Sequence, residues 1–128
     1  MKILLDTNFL VYCAKQKIDY VEEIDNLIGD YNIVVLSSVR QEIEKIKKQA
    51  KKARDKQAAE LALQILNKNI KENKIKIIKT EEKEVDEAIL KLVKEKDVVA
   101  TMDKELKKRL KGKAQILSIR KGKKLEVL

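Results

Sequence analysis

The apolar residues of this chain fall into two alternating patterns. Short runs with almost no polar residue occupy positions 3–5, 33–36, 75–78, 97–101 and 114–119. Such runs are typical of parallel strands that are buried on both faces. The segments between them carry apolar residues three or four positions apart, which is the period of an amphipathic helix. The alternation predicts an α/β protein, an α/β/α sandwich around a central, mostly parallel five-stranded sheet.

Capping residues mark the ends of the predicted helices. A first short helix should occupy residues 8–15, and a long amphipathic helix should run from residue 58 towards residue 70. Ser38 and Gln41 have the spacing of a capping box, which predicts a helix start directly after the second strand. The other predicted N-caps are Asp19, Thr80 and Asp103. The basic tail, residues 120–128, could add a short edge strand.

Four acidic residues stand at or near the ends of these elements. Asp6 follows the first strand, Glu42 lies in the first turns of the helix after the second strand, and Asp103 follows the fourth strand. Asp86 borders the buried stripe of the helix after Thr80. Each acid also has a structural explanation, because acids cap helices and stabilise helix N-termini. Since parallel strands end at one edge of a sheet, we expect the four carboxylates to converge.

Converging carboxylates indicate a metal site. Ionised acids raise one another's pKa values by repulsion, so the cluster destabilises the fold unless a cation compensates it. Oxygen ligands suit Mg²⁺ or Mn²⁺. The chain has no histidine, which excludes histidine-dependent catalysis and any zinc site built from Cys and His within one chain. The single cysteine, Cys13, follows apolar residues and is interpreted as a small buried thiol.

Length and composition indicate one globular domain. The 128 residues, 44% of them hydrophobic, can fill one core, so we assign residues 1–128 to a single domain. No run approaches the ~20 apolar residues of a membrane span, and the N-terminus lacks the layout of a signal peptide. We therefore expect a cytoplasmic protein that does not enter a membrane.

The charge balance favours a polyanionic partner. Lys+Arg total 30 against 21 for Asp+Glu, a net charge of +9, which favours nucleic acid. The stretch 45–54 is densely cationic, and a solvated helix face is the alternative to a phosphate-contacting arm. The candidate phosphate contacts in it are Lys47, Lys48, Lys51 and Lys52. With one phenylalanine and three tyrosines as the only aromatic residues, base stacking should contribute little.

Four short motifs carry a family resemblance. They are LDTN at 5–8, VRQE at 39–42, VDEAIL at 85–90 and VATMDKEL at 99–106. In this order they resemble the signatures of PIN-domain nucleases over essentially the whole chain. The last motif is similar to archaeal PIN proteins and to the branch that processes ribosomal RNA, while toxin-type PIN ribonucleases have the same acids at similar lengths.

The resemblance implies a PIN-like fold and a metal-dependent endoribonuclease that cleaves single-stranded RNA with metal-activated water. The residues that match the family's catalytic and metal-binding acids are Asp6, Glu42, Asp86 and Asp103. Thr7 or Asn8 would support the first acid, and Glu87 and Glu105 are further neighbours. The implied cofactor is Mg²⁺ or Mn²⁺. The implied partners are single-stranded RNA and, depending on the role, a second copy, an antitoxin or a ribosome-processing protein.

Two alternatives belong to other functional classes. The first is a PIN-fold scaffold that binds RNA without cutting it, although this chain keeps all four acids. The second is a phosphoacceptor receiver domain with a similar sheet. That domain would need a phosphorylatable Asp at the end of its third strand, where this chain has Ile78, Lys79 and Thr80.

Overall fold

The computed structural model describes residues 1–120 and 123–128, which form six strands and six helices. In chain order these are β1 (Lys2–Leu5), α1 (Thr7–Gln16), α2 (Tyr20–Leu27), β2 (Asn32–Leu36), α3 (Ser37–Gln49), α4 (Ala53–Lys71), β3 (Lys76–Ile78), α5 (Val85–Leu92), β4 (Val98–Ala100), α6 (Lys104–Leu110), β5 (Gln115–Arg120) and β6 (Lys124–Val127). None of the described helices is both long and apolar enough to cross a membrane.

The strands form one sheet in the order β3-β2-β1-β4-β5-β6. The first five run parallel, and β1 pairs with both β2 and β4, with Ile3 opposite Ile33 on one side and Val98 on the other. After β1 the chain therefore adds β2 and β3 on one side of β1, and it later adds β4 and β5 on the other side. In an open parallel sheet, this reversal opens a crevice outside the carboxyl ends of the strands. The expected α/β class is confirmed.

The sheet has a sixth strand beyond the five that were predicted as its centre. The tail forms β6, which pairs antiparallel with β5 and places Ser118 opposite Glu126. Leu125 is buried and β6 contacts α2, so the basic tail contributes an apolar residue to the core. The part of the predicted tail at residues 121–122 lies outside the described residues.

The core matches the hydrophobic pattern. Ile3, Leu4 and Leu5 are almost completely buried, as a central strand between two neighbours requires. Helices α1, α3 and α4 pack against one another, and Cys13 is buried within α1. Burial raises the pKa of its thiol to about 12, which fits the interpretation of an unreactive core cysteine.

Two of the predicted helix caps are confirmed and two are wrong. Asp19 accepts a hydrogen bond from the Glu22 N–H, and Asp103 accepts one from the Glu105 N–H. Helix α3 begins instead at Ser37, with Leu36 at its N-cap and no side-chain cap. β2 runs into α3 without an intervening residue, so no capping box forms at Ser38.

Thr80 is also not a cap, because α5 begins only at Val85. Its N–H donates to the Ser37 Oγ at 2.9 Å, and its hydroxyl lies 3.4 Å from the Ser38 Oγ. The sequence predicted Ser38 and Thr80 as caps of two different helices. In the fold their hydroxyls instead meet and connect the start of α3 to the segment after β3. The long helix α4 also begins at Ala53, five positions before the predicted start.

A buried carboxylate, Asp97, connects the amino-terminal ends of β1 and β4, at the end of the sheet away from the crevice. Asp97 is 3% exposed and accepts hydrogen bonds from the Lys2 N–H at 3.0 Å and the Lys94 N–H at 2.9 Å. The Lys2 Nζ lies 3.5 Å from Asp97 Oδ2. Burial alone would raise the pKa of Asp97, but these N–H groups and the Lys2 ammonium outweigh it and hold the pKa below its ordinary value.

We expect Asp97→Asn to lower the free energy of unfolding at pH 7 by about 1–3 kcal/mol, because one of the two N–H donors loses its acceptor. Since the pKa of Asp97 is lowered in the fold, its contribution is present above the unfolded value of about 3.9 and is lost as pH falls through the folded value. Urea denaturation should therefore show that the difference in free energy of unfolding between wild type and Asp97→Asn becomes smaller as the pH is lowered. Asp25→Asn, on the exposed side of α2, is the control, and equal midpoints for Asp97→Asn and wild type would contradict the expectation.

Candidate active site

Asp6 lies where β1 ends and α1 begins, next to the reversal in strand order. Its N–H donates to the Ala100 carbonyl oxygen at 2.9 Å, which continues the pairing of β1 with β4. Its Oδ1 accepts from the Thr7 N–H at 2.9 Å, and its Oδ2 accepts from the Thr101 hydroxyl at 2.7 Å. Asp6 is thus the N-cap of α1 and also stands at the functional edge of the sheet, so the two interpretations of this residue are compatible.

The electrostatic environment of Asp6 disfavours its charge. Asp6 is 3% exposed, and this burial is the main reason why its pKa rises to about 6. The hydrogen bonds from Thr101 and Thr7 oppose the rise, while the negative charges of Asp86 and Glu42 add to it. The carboxylates that the sequence places far apart therefore act on one another in the fold.

The corner after β4 is tied to the start of α1. Thr101 is completely buried, and its Oγ accepts from the Asp103 N–H at 3.1 Å while donating to Asp6. The Asn8 Oδ1 accepts from the Met102 N–H at 3.1 Å. Asn8 therefore supports the corner that carries Asp103. Thr101 was not predicted as a site residue, although its place at a strand end two positions before Asp103 was a usable signal.

The four predicted acids line one cleft together with Thr7 and Asn8. The cavity has a volume of about 850 Å³. Glu84, just before α5, also lines it and was not predicted. A sixth acid of the lining, Asp55, belongs to α4. We call the other five acids of this cavity the acidic cleft: Asp6, Glu42, Glu84, Asp86 and Asp103.

Asp86 has a raised pKa for the same two reasons as Asp6. Burial is the larger cause, and the negative charge of Asp103 follows, with smaller contributions from Glu42 and Glu84. The Arg109 guanidinium opposes the rise. The acids of the acidic cleft thus repel one another, although they come from four parts of the chain: the ends of β1 and β4, helix α3 and the start of α5.

Two predicted neighbours lie outside this cleft. The carboxylate of Glu87 pairs with the Arg109 guanidinium at 2.7 Å. Glu105 is exposed, and its carboxylate lies 3.7 Å from the Lys108 Nζ. Neither side chain lines the cavity. Because α5 and α6 each turn a different side towards the cleft, only Asp86 and Asp103 of these sequence neighbours face it.

The predicted phosphate-contacting lysines lie at and around the end of α3 and in the link to α4. Lys48, Lys51 and Lys52 are exposed and Lys47 is half-buried. None of the four lines the cavity, but Ala50 in the same link does. Two other lysines do line it, Lys15 of α1 and Lys45 of α3. Lys45 begins the predicted cationic stretch, but neither lysine was among the candidate phosphate contacts. Positive charge therefore borders the cleft from two helices.

The donor set of the acidic cleft fits a hard divalent cation. Its ionisable groups are carboxylates, and the Thr7 hydroxyl beside Asp6 is buried without a hydrogen-bond partner. Oxygen atoms of this kind suit Mg²⁺ or Mn²⁺. Within residues 1–120 and 123–128, no three potential ligands are already close enough to share one ion. Asp6 is held in place by hydrogen bonds from Thr7 and Thr101, whereas Glu42 is exposed.

The fold and the cleft together define an α/β protein with an acidic site at the switch point of a parallel sheet. The family model described as a PIN like domain matches residues 3–122. The chain belongs to this PIN-like family.

Two relatives extend over almost the whole chain. Ribonuclease VapC4 of Methanocaldococcus jannaschii is 36% identical over 131 residues, which cover 98% of this chain and 95% of the relative. The solved structure of the PIN domain endonuclease Utp24 superimposes with a TM-score of 0.77 at 27% identity, covering 98% of this chain and 90% of the other. These similarities support a nuclease function.

Proposed function

We propose that this protein is a Mg²⁺- or Mn²⁺-dependent endoribonuclease that cleaves single-stranded RNA at the acidic cleft. The observation that carries the proposal is the convergence of Asp6, Glu42, Asp86 and Asp103 in one cavity. Burial and mutual repulsion keep Asp6 and Asp86 from ionising easily, and a divalent cation would remove this penalty. The ribonuclease and endonuclease among the relatives support the same conclusion.

Asp6, Glu42, Asp86 and Asp103 would hold the cation, with Glu84 and the Thr7 hydroxyl as further oxygen donors. When bound, Mg²⁺ or Mn²⁺ supplies an activated water and offsets the negative charge that builds on the phosphate. The chain itself positions these donors. Thr101 fixes the orientation of the Asp6 carboxylate through its hydroxyl, and Asn8 holds the Met102 backbone next to Asp103.

The basic residues around the cleft would bind the RNA backbone. Lys15 and Lys45 line the cavity, while Lys47, Lys48, Lys51 and Lys52 extend the positive surface beyond it. These lysines would attract phosphates and partly offset the repulsion between the RNA and the acids.

The test is an assay on an end-labelled single-stranded RNA with Mg²⁺, with Mn²⁺ and with excess EDTA. Internal cleavage products that appear only with a metal ion would support the proposal. Absence of products with either ion would favour a catalytically inactive RNA-binding scaffold.

The physiological role is a separate question with two candidates. A toxin-type ribonuclease would have an antitoxin as its partner, and a processing or decay enzyme, for example in ribosomal RNA maturation, would depend on other proteins for targeting. In both cases we propose cytoplasmic action. An antitoxin gene next to this gene would favour the toxin, and its absence would favour processing or decay.

Replacing Lys47, Lys48, Lys51 and Lys52 with Gln should weaken RNA binding and reduce its dependence on salt. Each lysine that contacts a phosphate of single-stranded RNA contributes about 0.7 to the slope of log affinity against log salt. Fluorescence anisotropy with a labelled single-stranded RNA over a salt series in EDTA measures this slope.

A matched control removes the same number of positive charges away from the cleft. It carries Gln at Lys68, Lys71, Lys76 and Lys96. In this control, the slope of log affinity against log salt should stay closer to the wild-type value than in the variant near the cleft. Equal slopes for the two variants would show that net charge alone, rather than the surface at the α3–α4 link, determines binding.

A further inference from the structure

The cavity is also lined by residues of α1, α3 and α4 that are not part of the acidic cleft, and we call this part of its wall the side arm. The residues that line the side arm are Val11, Tyr12, Lys15, Ile46, Gln49 and Asp55. Val11 and Ile46 are half-buried and pack against the core, so they form an apolar floor. The side arm therefore differs in chemistry from the acidic cleft that it adjoins.

Tyr12 is the aromatic residue of this side arm, and its environment differs from that of the buried Tyr20. The Tyr20 ring packs against Phe9, and its hydroxyl is bonded by Asn69. Tyr12 is 36% exposed, and within the described residues its ring has no aromatic neighbour and its hydroxyl has no hydrogen-bond partner. Its aromatic surface is thus free to contact a ligand in the cavity.

The polar groups of the side arm suit a nucleotide. Lys15 and Asp55 form a salt bridge at 3.2 Å between α1 and α4. Gln49 is exposed at the end of α3 and can both donate to and accept from the edge of a base. The whole cavity of about 850 Å³ lies within the range of sites that hold small organic ligands.

We propose that the side arm is a subsite for one nucleobase of single-stranded RNA, stacked on the Tyr12 ring next to the phosphate that lies in the acidic cleft. The inference rests on the proposed function, because it assigns a second part of the same cavity to the same substrate. An aromatic ring binds any base by stacking, so this subsite requires an unpaired base and tolerates different sequences. At this one position it departs from the expectation that base stacking contributes little.

The test compares binding of two ligands in EDTA, where no metal-dependent cleavage can occur. One is a short single-stranded RNA of mixed sequence, and the other is an abasic ribose-phosphate oligomer of the same length. Wild type should bind the RNA more tightly than the abasic oligomer. Tyr12→Leu should lose about 5- to 150-fold in affinity for the RNA and little for the abasic oligomer.

Two further variants separate stacking from other effects. Tyr12→Phe keeps the ring and should bind RNA almost as wild type does. Tyr31→Leu removes a tyrosine that lines a different groove, and it should keep the preference for the base-bearing ligand. An equal loss for both ligands in Tyr12→Leu, or a wild type without preference between them, would overturn the subsite.

Failure of the subsite and failure of the nuclease proposal give different results. Cleavage with Mg²⁺ or Mn²⁺ combined with base-independent binding refutes the subsite alone. Base-dependent binding through Tyr12 without cleavage refutes the nuclease and retains the subsite as part of an RNA-binding protein.

Discussion

Asp6→Asn is expected to reduce the cleavage of single-stranded RNA by about 100- to 1,000-fold, because it removes the charge of the carboxylate that we propose as the best-ordered cation ligand in the acidic cleft. The ion's stabilisation of transition-state charge is worth several kcal/mol, and each 1.36 kcal/mol corresponds to a factor of ten in rate. The lysines that we propose as phosphate contacts remain, so RNA affinity should change much less. Initial rates with Mg²⁺ or Mn²⁺ and anisotropy in EDTA measure the two effects.

The hydrogen bonds around Asp6 can accommodate the amide. Its oxygen can still accept from the Thr7 N–H, and its NH₂ group can donate to the Thr101 Oγ. The Thr101 hydroxyl can then turn to the Asn8 Oδ1, which lies 3.4 Å away. The variant therefore removes a charge with little change in shape.

The stability of the metal-free variant distinguishes a ligand from a structural cap. The pKa of Asp6 rises from 3.8 to about 6 in the fold. Its favourable contribution to the free energy of unfolding is therefore present below about pH 4 and is lost as the pH rises through about 6. Ionised Asp6 thus costs up to about 3 kcal/mol at neutral pH, a penalty that Asn does not carry.

Asp6→Asn should consequently be at least as heat-stable as wild type at pH 7 in EDTA. Asp30→Asn, at an exposed loop position, is the control and should affect neither cleavage nor stability. If Asp6→Asn unfolds without metal, the residue acts mainly as the cap of α1. If it is stable but still cuts RNA at the wild-type rate, the acidic cleft is not the catalytic site.

The sequence identifies the strands well because burial on two faces leaves no room for polar residues. This is why the run that ends at Leu5 locates both β1 and the position of Asp6. It also explains why Asp103 could be placed, since β4 has the same composition and ends just before it. The convergence of these two acids needs only the parallel arrangement that such strands adopt.

Other features depend on packing between elements that are distant in the chain. Tyr12 and Lys15 lie on α1, and only the packing of α1 against α3 and α4 makes them part of the cavity. Ser37 and Thr80 are 43 positions apart, so their hydrogen bond could not be inferred from local capping patterns. Glu84 was missed because α5 begins later than the sequence suggests, which moves the loop before it into the cleft.

Mg²⁺ or Mn²⁺ is expected to stabilise the wild-type protein and to leave Asp6→Asn combined with Asp103→Asn unaffected. An ion that binds only the folded state at 100 times its dissociation constant adds about 2.7 kcal/mol, or about 10 °C in melting temperature for a domain of this size. Two of the four predicted ligands become neutral amides in the double variant, so the attraction for the cation is largely lost.

Calorimetric titration and thermal melts over a series of metal concentrations measure the binding and the stabilisation. Asn can replace Asp103 as the cap of α6, so the double variant should fold, which its melting curve in EDTA checks. The matched control, Asp25→Asn combined with Asp30→Asn, removes two exposed charges outside the cleft and should keep the wild-type response. If the double variant binds both ions as tightly as wild type does, the cation site lies outside the acidic cleft and the proposed mechanism is wrong.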